Sequence, residues 1–265
     1  MRRRAQERLA LATLVRTAGS SYLAAGARML ITEGGETFGL LSGGCIEEEV
    51  AVKARAVFET GAPLTLTFDT RPHFGCSGAL EIVVERLAAE DAFLLSLDRC
   101  LRERVSIVLA ESDVIEPPLQ LLIAGDGEDS VPLARIAQTL GWKVTPLREH
   151  ENIAADAWTV AVVKTHNYGR DFAFLRALLP LDLPYIGLVG SRKRKEDLVA
   201  ALLDVGIAPE QTKVIHGPAG LDIGSATPEE IALSVVAEIQ AVLSARPHHS
   251  LRDRKNAAPR LVSAA

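Results

Sequence analysis

Apolar positions along this chain recur in two rhythms, and the change from one to the other divides it. In the first hundred residues short alternating runs dominate. Leu9 to Arg16 reads as a buried strand, and Met29–Thr32 with Thr37–Leu41 reads as a hairpin around Gly34-Gly35. The segment from Cys45 to Gly61 repeats Ile46, Val50 and Val57 at helical spacing and stops at glycine. "PLTLTFDT" and "GALEIVVERL" are strands, "EDAFLLSLDRCLRER" a helix with Cys100 on its apolar side, and "VSIVLAES" a strand.

After two prolines in "SDVIEPPLQ" the pattern becomes strand, helix, strand. "LQLLIAG", "WKVTPL", "TVAVVKTH", "YIGLVG" and "KVIHG" are strands, separated by helical stretches. The last helix opens on Thr227, Pro228 and Glu230, a capping box with proline in the first turn. Such alternation implies a parallel sheet with helices on both faces. The expected class is therefore α/β: an α+β N-terminal domain over 1–111, a linker over 112–119, and a Rossmann-like doubly wound parallel-sheet domain over 120–245. The polar, aperiodic tail over 246–265 is expected to be disordered.

Composition narrows the function classes. The 265 residues carry a net charge of -5, which argues against nucleic acid as a partner. No apolar run is long enough to span a membrane. The opening "MRRRAQERLALATLVRTAGSS" reads as a helix start leading into a strand rather than a signal peptide. Three cysteines make no disulfide framework, and a reducing cytoplasm is the expected location.

Candidate chemistry lies in two places. "LLIAGDGEDSVPLARIA" is a strand, a glycine turn and a helix, where a dinucleotide fingerprint belongs. Gly125 and Gly127 fill its first two glycine positions, Ser130-Val131 replaces the third, and no acid ends the next strand to hold a ribose. A nucleotide in this domain is left open. Other strand ends bring Asp126, then Thr165-His166-Asn167, then Ser191, Arg192, Lys193, Arg194 and Lys195. Four cations opening a helix oppose its dipole, and a bound anion would relieve that conflict. The bland alternative is a solvated basic face, and for His166 a structural role.

The second place is a pair of thiols on glycine turns, Cys45 after Gly43-Gly44 and Cys76 after Gly75. Glycine lets a bulky ligand approach the backbone. Cys45, if it begins the helix, gains thiolate character from the dipole. Each cysteine could equally be a small buried hydrophobe. Glu47 reads as a first-turn acid on the helix dipole, or as an acid or base beside the thiol.

The ordered segments "TAGSSYLAAGARMLI", "GLLSGGCIEEEV", "FGCSGALEIVVE", "IAGDGEDSVPLARIAQTLGW", "KTHNYGRD", "LPYIGLVGSRKRKE" and "HGPAGLDIGSATPEEIALSVVAEI" resemble the XdhC/CoxI family, maturation factors of molybdenum hydroxylases such as xanthine dehydrogenase. The resemblance runs from Leu14 to Val242. Ser77 stands where the family's second turn has glycine. The likeness implies a chaperone rather than a turnover enzyme. It would bind and protect the molybdenum cofactor (molybdopterin) and deliver it to an apo molybdenum hydroxylase, in some members alongside sulfuration by a cysteine desulfurase. Cys45 and Cys76 become candidate metal ligands. Gly43, Gly44, Glu47, Gly75, Gly125, Gly127, His166, Asn167, Ser191 and Arg192 become candidate cofactor contacts. Self-association as a homo-oligomer would suit a carrier of a labile ligand. The competing readings are an NAD(P)-dependent oxidoreductase and a nucleotide-binding regulatory protein.

Overall fold

The computed structural model describes residues 8–19, 21–69, 78–88, 90–110, 113–246 and 249–253. Two compact units meet in sequence between Pro117 and Pro118.

The first unit is built on an antiparallel sheet. Its strands are β1 (Leu9–Gly19), β2 (Arg28–Thr32), β3 (Thr37–Gly39), β4 (Leu64–Asp69) and β5 (Gly78–Leu87), in the order β3-β2-β1-β5-β4. Buried and less buried residues alternate along β5, as they must when one face meets the core. That face takes Leu14, Met29, Ile31, Ile82 and Val84. Against it pack Ile46, Val50, Ala54, Val57 and Phe58 from two short helices, α1 (Glu47–Lys53) and α2 (Arg55–Thr60). The single helix expected from Cys45 to Gly61 is thus two, joined through Ala54. It begins two residues after Cys45, and Gly61 ends it with φ +74°.

A further helix, α3 (Ala92–Glu103), carries Cys100 fully buried, its thiol facing the carbonyl of Ile115 at 3.7 Å. Burial pushes that thiol's pKa up, so its role is packing. Part of the stretch read as linker is structured: β7 (Asp113–Ile115) returns antiparallel along β6 (Ile107–Ala110). Asp113 pairs with Arg28 of β2, whose guanidinium also lies over the ring of Phe93. The charge partner lies 85 residues away, so hydropathy alone does not mark this strand.

The second unit has a wholly parallel sheet of β8 (Gln120–Ala124), β9 (Lys143–Leu147), β10 (Thr159–Val163), β11 (Ile186–Leu188) and β12 (Ile215–His216). The order β12-β11-β10-β8-β9 makes β8 and β10 neighbours, and both are buried at every position because helices cover both faces. Helices α4 (Val131–Thr139) and α8 (Pro228–Leu243) pack on one face through Leu133, Ala137, Ala232, Val235 and Ile239. On the other lie α5 (Tyr168–Leu178) and α6 (Arg192–Asp204), through Phe174, Leu175, Leu198 and Leu202. A short α7 (Pro209–Thr212) precedes β12. Pro146 is tolerated in β9 because that strand is an edge. The capping box closes as expected: Thr227 Oγ1 accepts from the N–H of Glu230, and Glu230 accepts from the N–H of Thr227.

The strand order reverses at β8: the chain lays β9 on one side of it and β10, β11 and β12 on the other, all parallel. In doubly wound sheets that switch point opens a crevice at the carboxyl ends of the strands. No helix among the described residues is long and apolar enough to cross a membrane. Most of the tail expected to be disordered lies outside the described residues; within it Leu251–Asp253 forms a 3-10 turn.

Candidate functional site

Between β3 and α1 the chain makes a loop whose burial pattern is distinctive. Leu41 and Ser42 are buried, Gly43, Gly44 and Cys45 are exposed, and Ile46 and Glu47 are buried again. The loop is held from beneath by one carboxylate. Glu47 Oε1 accepts from the N–H of Leu41 at 3.0 Å and of Ser42 at 2.7 Å, and Oε2 accepts from the N–H of Ile46 at 3.1 Å. The Ser42 hydroxyl donates to the same carboxylate, at 2.9 Å to Oε2. That hydroxyl oxygen also accepts from the N–H groups of Gly44 and Cys45, each at 3.3 Å. Burial would push the Glu47 carboxyl up, but the donors from Ser42 and Leu41 outweigh it and hold the pKa below its ordinary value.

Glu47 stands in the first turn of α1, as the sequence reading has it, and its carboxylate is turned back onto the loop. It is the knot of the loop. Cys45 lies just outside the helix, two residues before its first residue. Its Sγ is 3.4 Å from Ser42 Oγ and is exposed. Gly44 has φ +103° with open space around it, a conformation that a side chain would strain. Gly43 lies against the ring of Tyr22, which is 78% exposed. The result is a soft sulfur beside bare backbone and an open aromatic ring. Gly75 and Cys76 lie outside the described residues. Among the described residues no group of three or more His, Cys, Asp or Glu is placed to hold a metal ion.

In the second unit the switch point gathers residues from three strand ends. Gly125 is needed for packing: a Cβ there would meet the carbonyl oxygen of Lys164 at 2.8 Å. The Gly127 turn continues into a 3-10 turn, Glu128–Ser130, that leads into α4. Asp129 Oδ2 lies 2.7 Å from Lys164 Nζ and 2.9 Å from His166 Nε2, and Lys164 also donates to the carbonyl of Asp129 at 2.6 Å. The Lys164 side chain is 6% exposed, so its charge sits almost out of water. Burial works against ionising Asp129, but Lys164 and His166 outweigh it and hold its pKa below the usual carboxylate range. A cavity of about 100 Å³ opens beside this cluster, walled by Leu133, Val189, Ile231 and Val235.

The other expected site residues divide in their roles. Asn167 caps α5 by accepting from the N–H of Arg170, and Ser191 caps α6 by accepting from the N–H of Arg194. Arg194 turns inward: its Nε and Nη2 reach Asp171 Oδ2 at 2.9 and 2.6 Å. Asp171 is buried, and its Oδ1 accepts from the N–H and hydroxyl of Thr165. One of the four cations at this helix start thus serves the core, while Arg192 stays exposed beside a groove shared with Lys195 and Gly217. Asp126 pairs with Arg170 at 3.4 Å.

Sequence reasoning passed over Ser42 as a loop organiser, and passed over Lys164, Asp129 and Asp171. A lysine ending the apolar run "TVAVVK" is a legible signal, because a buried strand keeps a cation only with a partner. Nothing local announces that the partner is Asp129, 35 residues earlier.

Residues 121–239 match the family model described as the XdhC Rossmann domain, and residues 2–69 match that of the XdhC and CoxI family. A relative from Bacillus subtilis (strain 168), described as a probable subunit of xanthine dehydrogenase, is 30% identical, over 88% of this chain and 93% of the relative. The molybdenum cofactor insertion chaperone PaoD from Escherichia coli (strain K12) is 25% identical, over 88% of this chain and 82% of its own length. A crystal structure described as a xanthine dehydrogenase from Bacillus halodurans shares the fold, with a TM-score of 0.74, 23% identity, and coverage of 92% of this chain and 94% of that one.

Proposed function

The chain belongs to the XdhC and CoxI family, and from that premise we propose that it is a maturation factor that carries the molybdenum cofactor as cargo to an apo molybdenum hydroxylase. The observation that carries this reading is the loop locked by Glu47. It presents one exposed thiol, Cys45, beside two side-chain-free residues and the Tyr22 ring. The cargo is a pterin whose dithiolene already chelates molybdenum. Such a centre needs few protein donors, and a thiolate is a soft ligand suited to it. Bare backbone at Gly43 and Gly44 lets a flat ring approach, and Tyr22 offers a stacking face. Cys76 is the second proposed sulfur donor.

Delivery to the client is then ligand exchange. The thiolate leaves the metal as the client's own contacts form, and no electron is transferred. Exposure of the loop suits that release, whereas a buried site would hold the cargo against its recipient. Sulfuration of the cargo by a cysteine desulfurase on this carrier, self-association and a cytoplasmic location belong to the same proposal. The relative named an insertion chaperone supports it. In the second unit, His166, Asn167, Ser191 and Arg192 remain the proposed contacts for a ligand; Asn167 and Ser191 also cap helices, and His166 also meets Asp129.

The test is molybdenum content and oxidised-pterin fluorescence of the protein isolated anaerobically from cells that make the cofactor. Near-stoichiometric metal and pterin in the wild type, with strong loss in Cys45→Ala, is expected. Full retention in both Cys45→Ala and Cys76→Ala would remove the ligand role, and absence of cargo from the wild type would remove the carrier role.

A further inference from the structure

The second glycine of a dinucleotide turn exists so that a pyrophosphate can lie against its Cα. In this chain that place is taken. A Cβ built on Gly127 would meet Asp129 Oδ1 at 2.4 Å, so the carboxylate of Asp129 is folded back onto the turn. Its other oxygen binds Lys164 Nζ and His166 Nε2. An anion against the glycine, held by a buried cation and a polar ring, is the arrangement a bound phosphate would have. Here the anion is supplied by the chain.

We infer that Asp129 determines the ligand specificity of this unit: it is a resident anion that occupies the phosphate position and closes the fold to NAD, NADP and other pyrophosphate ligands. Two further observations agree. Lys164 is nearly out of water, and a buried cation demands a counter-charge, so the pair does not open at little cost. The turn also carries Asp126 and Glu128, which repel an incoming phosphate; Arg170 pairs with the first of them. The space beside the cluster is a cavity of roughly 100 Å³, lined on one side by aliphatic carbon and on the other by Asp129, Lys164 and His166. That space is too small for a dinucleotide. The inference stands apart from the cargo reading, which concerns the Cys45 loop of the other unit.

The experiment compares the full-length wild type, Asp129→Ser and the double variant Asp129→Ser with Lys164→Met. The probes are NADH, NADPH, ADP and inorganic pyrophosphate, followed by calorimetry and by the thermal midpoint. The wild type should show no saturable binding of any probe up to millimolar concentration. Asp129→Ser leaves Lys164 unpaired, so its midpoint should fall, and pyrophosphate should raise it again with an affinity at least about tenfold tighter than for the wild type. The double variant, with both charges removed, should fold and ignore pyrophosphate. Saturable binding of any probe by the wild type overturns the inference. So does an Asp129→Ser protein that folds without responding to pyrophosphate, or one that pyrophosphate cannot restore to the folded state.

Discussion

Glu47 accepts a hydrogen bond from the backbone N–H of Ser42 at 2.7 Å, five residues before it, and the three exposed residues Gly43 to Cys45 arch over that contact. The carboxylate and the thiol therefore have separable duties: one shapes the loop and the other faces outward.

Substitution should separate them. Glu47→Gln keeps the size but replaces one acceptor oxygen with a donor that faces N–H groups. It should lower the stability of the chain by about 2 kcal/mol, read from urea midpoints. Cys45→Ala, at an exposed position, should change stability by less than about 0.5 kcal/mol. Both should lose molybdenum and pterin on isolation. Equal stability for the two variants would contradict the loop-lock assignment.

The same carboxylate sets a pH dependence of definite sign. Its folded pKa lies below the ordinary 4.5, so its stabilisation is complete above that pH and is lost as pH falls through the lower folded value. The stability difference between wild type and Glu47→Gln should be flat from pH 7 to about pH 5 and shrink below about pH 4.5. A difference that grows on acidification would reverse the assignment.

Asp171, at 1% side-chain exposure, is nearly dry and pairs with the partly buried Arg194. Asp171→Ala strands the guanidinium and two donors of Thr165, and should cost about 3–5 kcal/mol in chemical denaturation. Replacing both partners, Asp171→Leu with Arg194→Met, should recover much of that loss. Additive losses in the double variant would show that the two side chains act independently.

Two glycines around the loop separate strain from collision. Gly39 and Gly44 have φ +95° and +103°, but a Cβ on Gly39 would lie 2.4 Å from the carbonyl oxygen of Arg28, while one on Gly44 meets open space. Gly44→Ala should cost about 1–2 kcal/mol, the strain alone. Gly39→Ala should cost more, because the edge strand must move. Thermal midpoints of the two variants decide it.

Hydrophobic rhythm carried much of this fold. The parallel strands β8 and β10 show up as unbroken apolar runs, and α8 is marked by Thr227, Pro228 and Glu230 within four residues. These signals are local, which is why they are legible. The late start of the Cys45–Gly61 helix and the strand hidden in the proline-rich connection were not, because the first goes with Glu47 turning back to Leu41 and the second with Arg28 finding Asp113.

The candidate site divides the same way. The sequence by itself determined that Cys45 stands on glycine and that a glycine turn opens the second unit, since both are properties of neighbouring residues. Only the tertiary structure decided that Cys45 is exposed, that Glu47 lies beneath the loop, that Arg194 belongs to Asp171, and that Asp129 folds back onto the Gly127 turn against Lys164 and His166. Those facts depend on which strand ends lie side by side and on which charges lose their water. For the charged pairs both follow from strand order and packing across 23 to 37 residues, which no spacing within one segment encodes; for the Cys45 loop they follow from Glu47 folding back five residues onto Ser42.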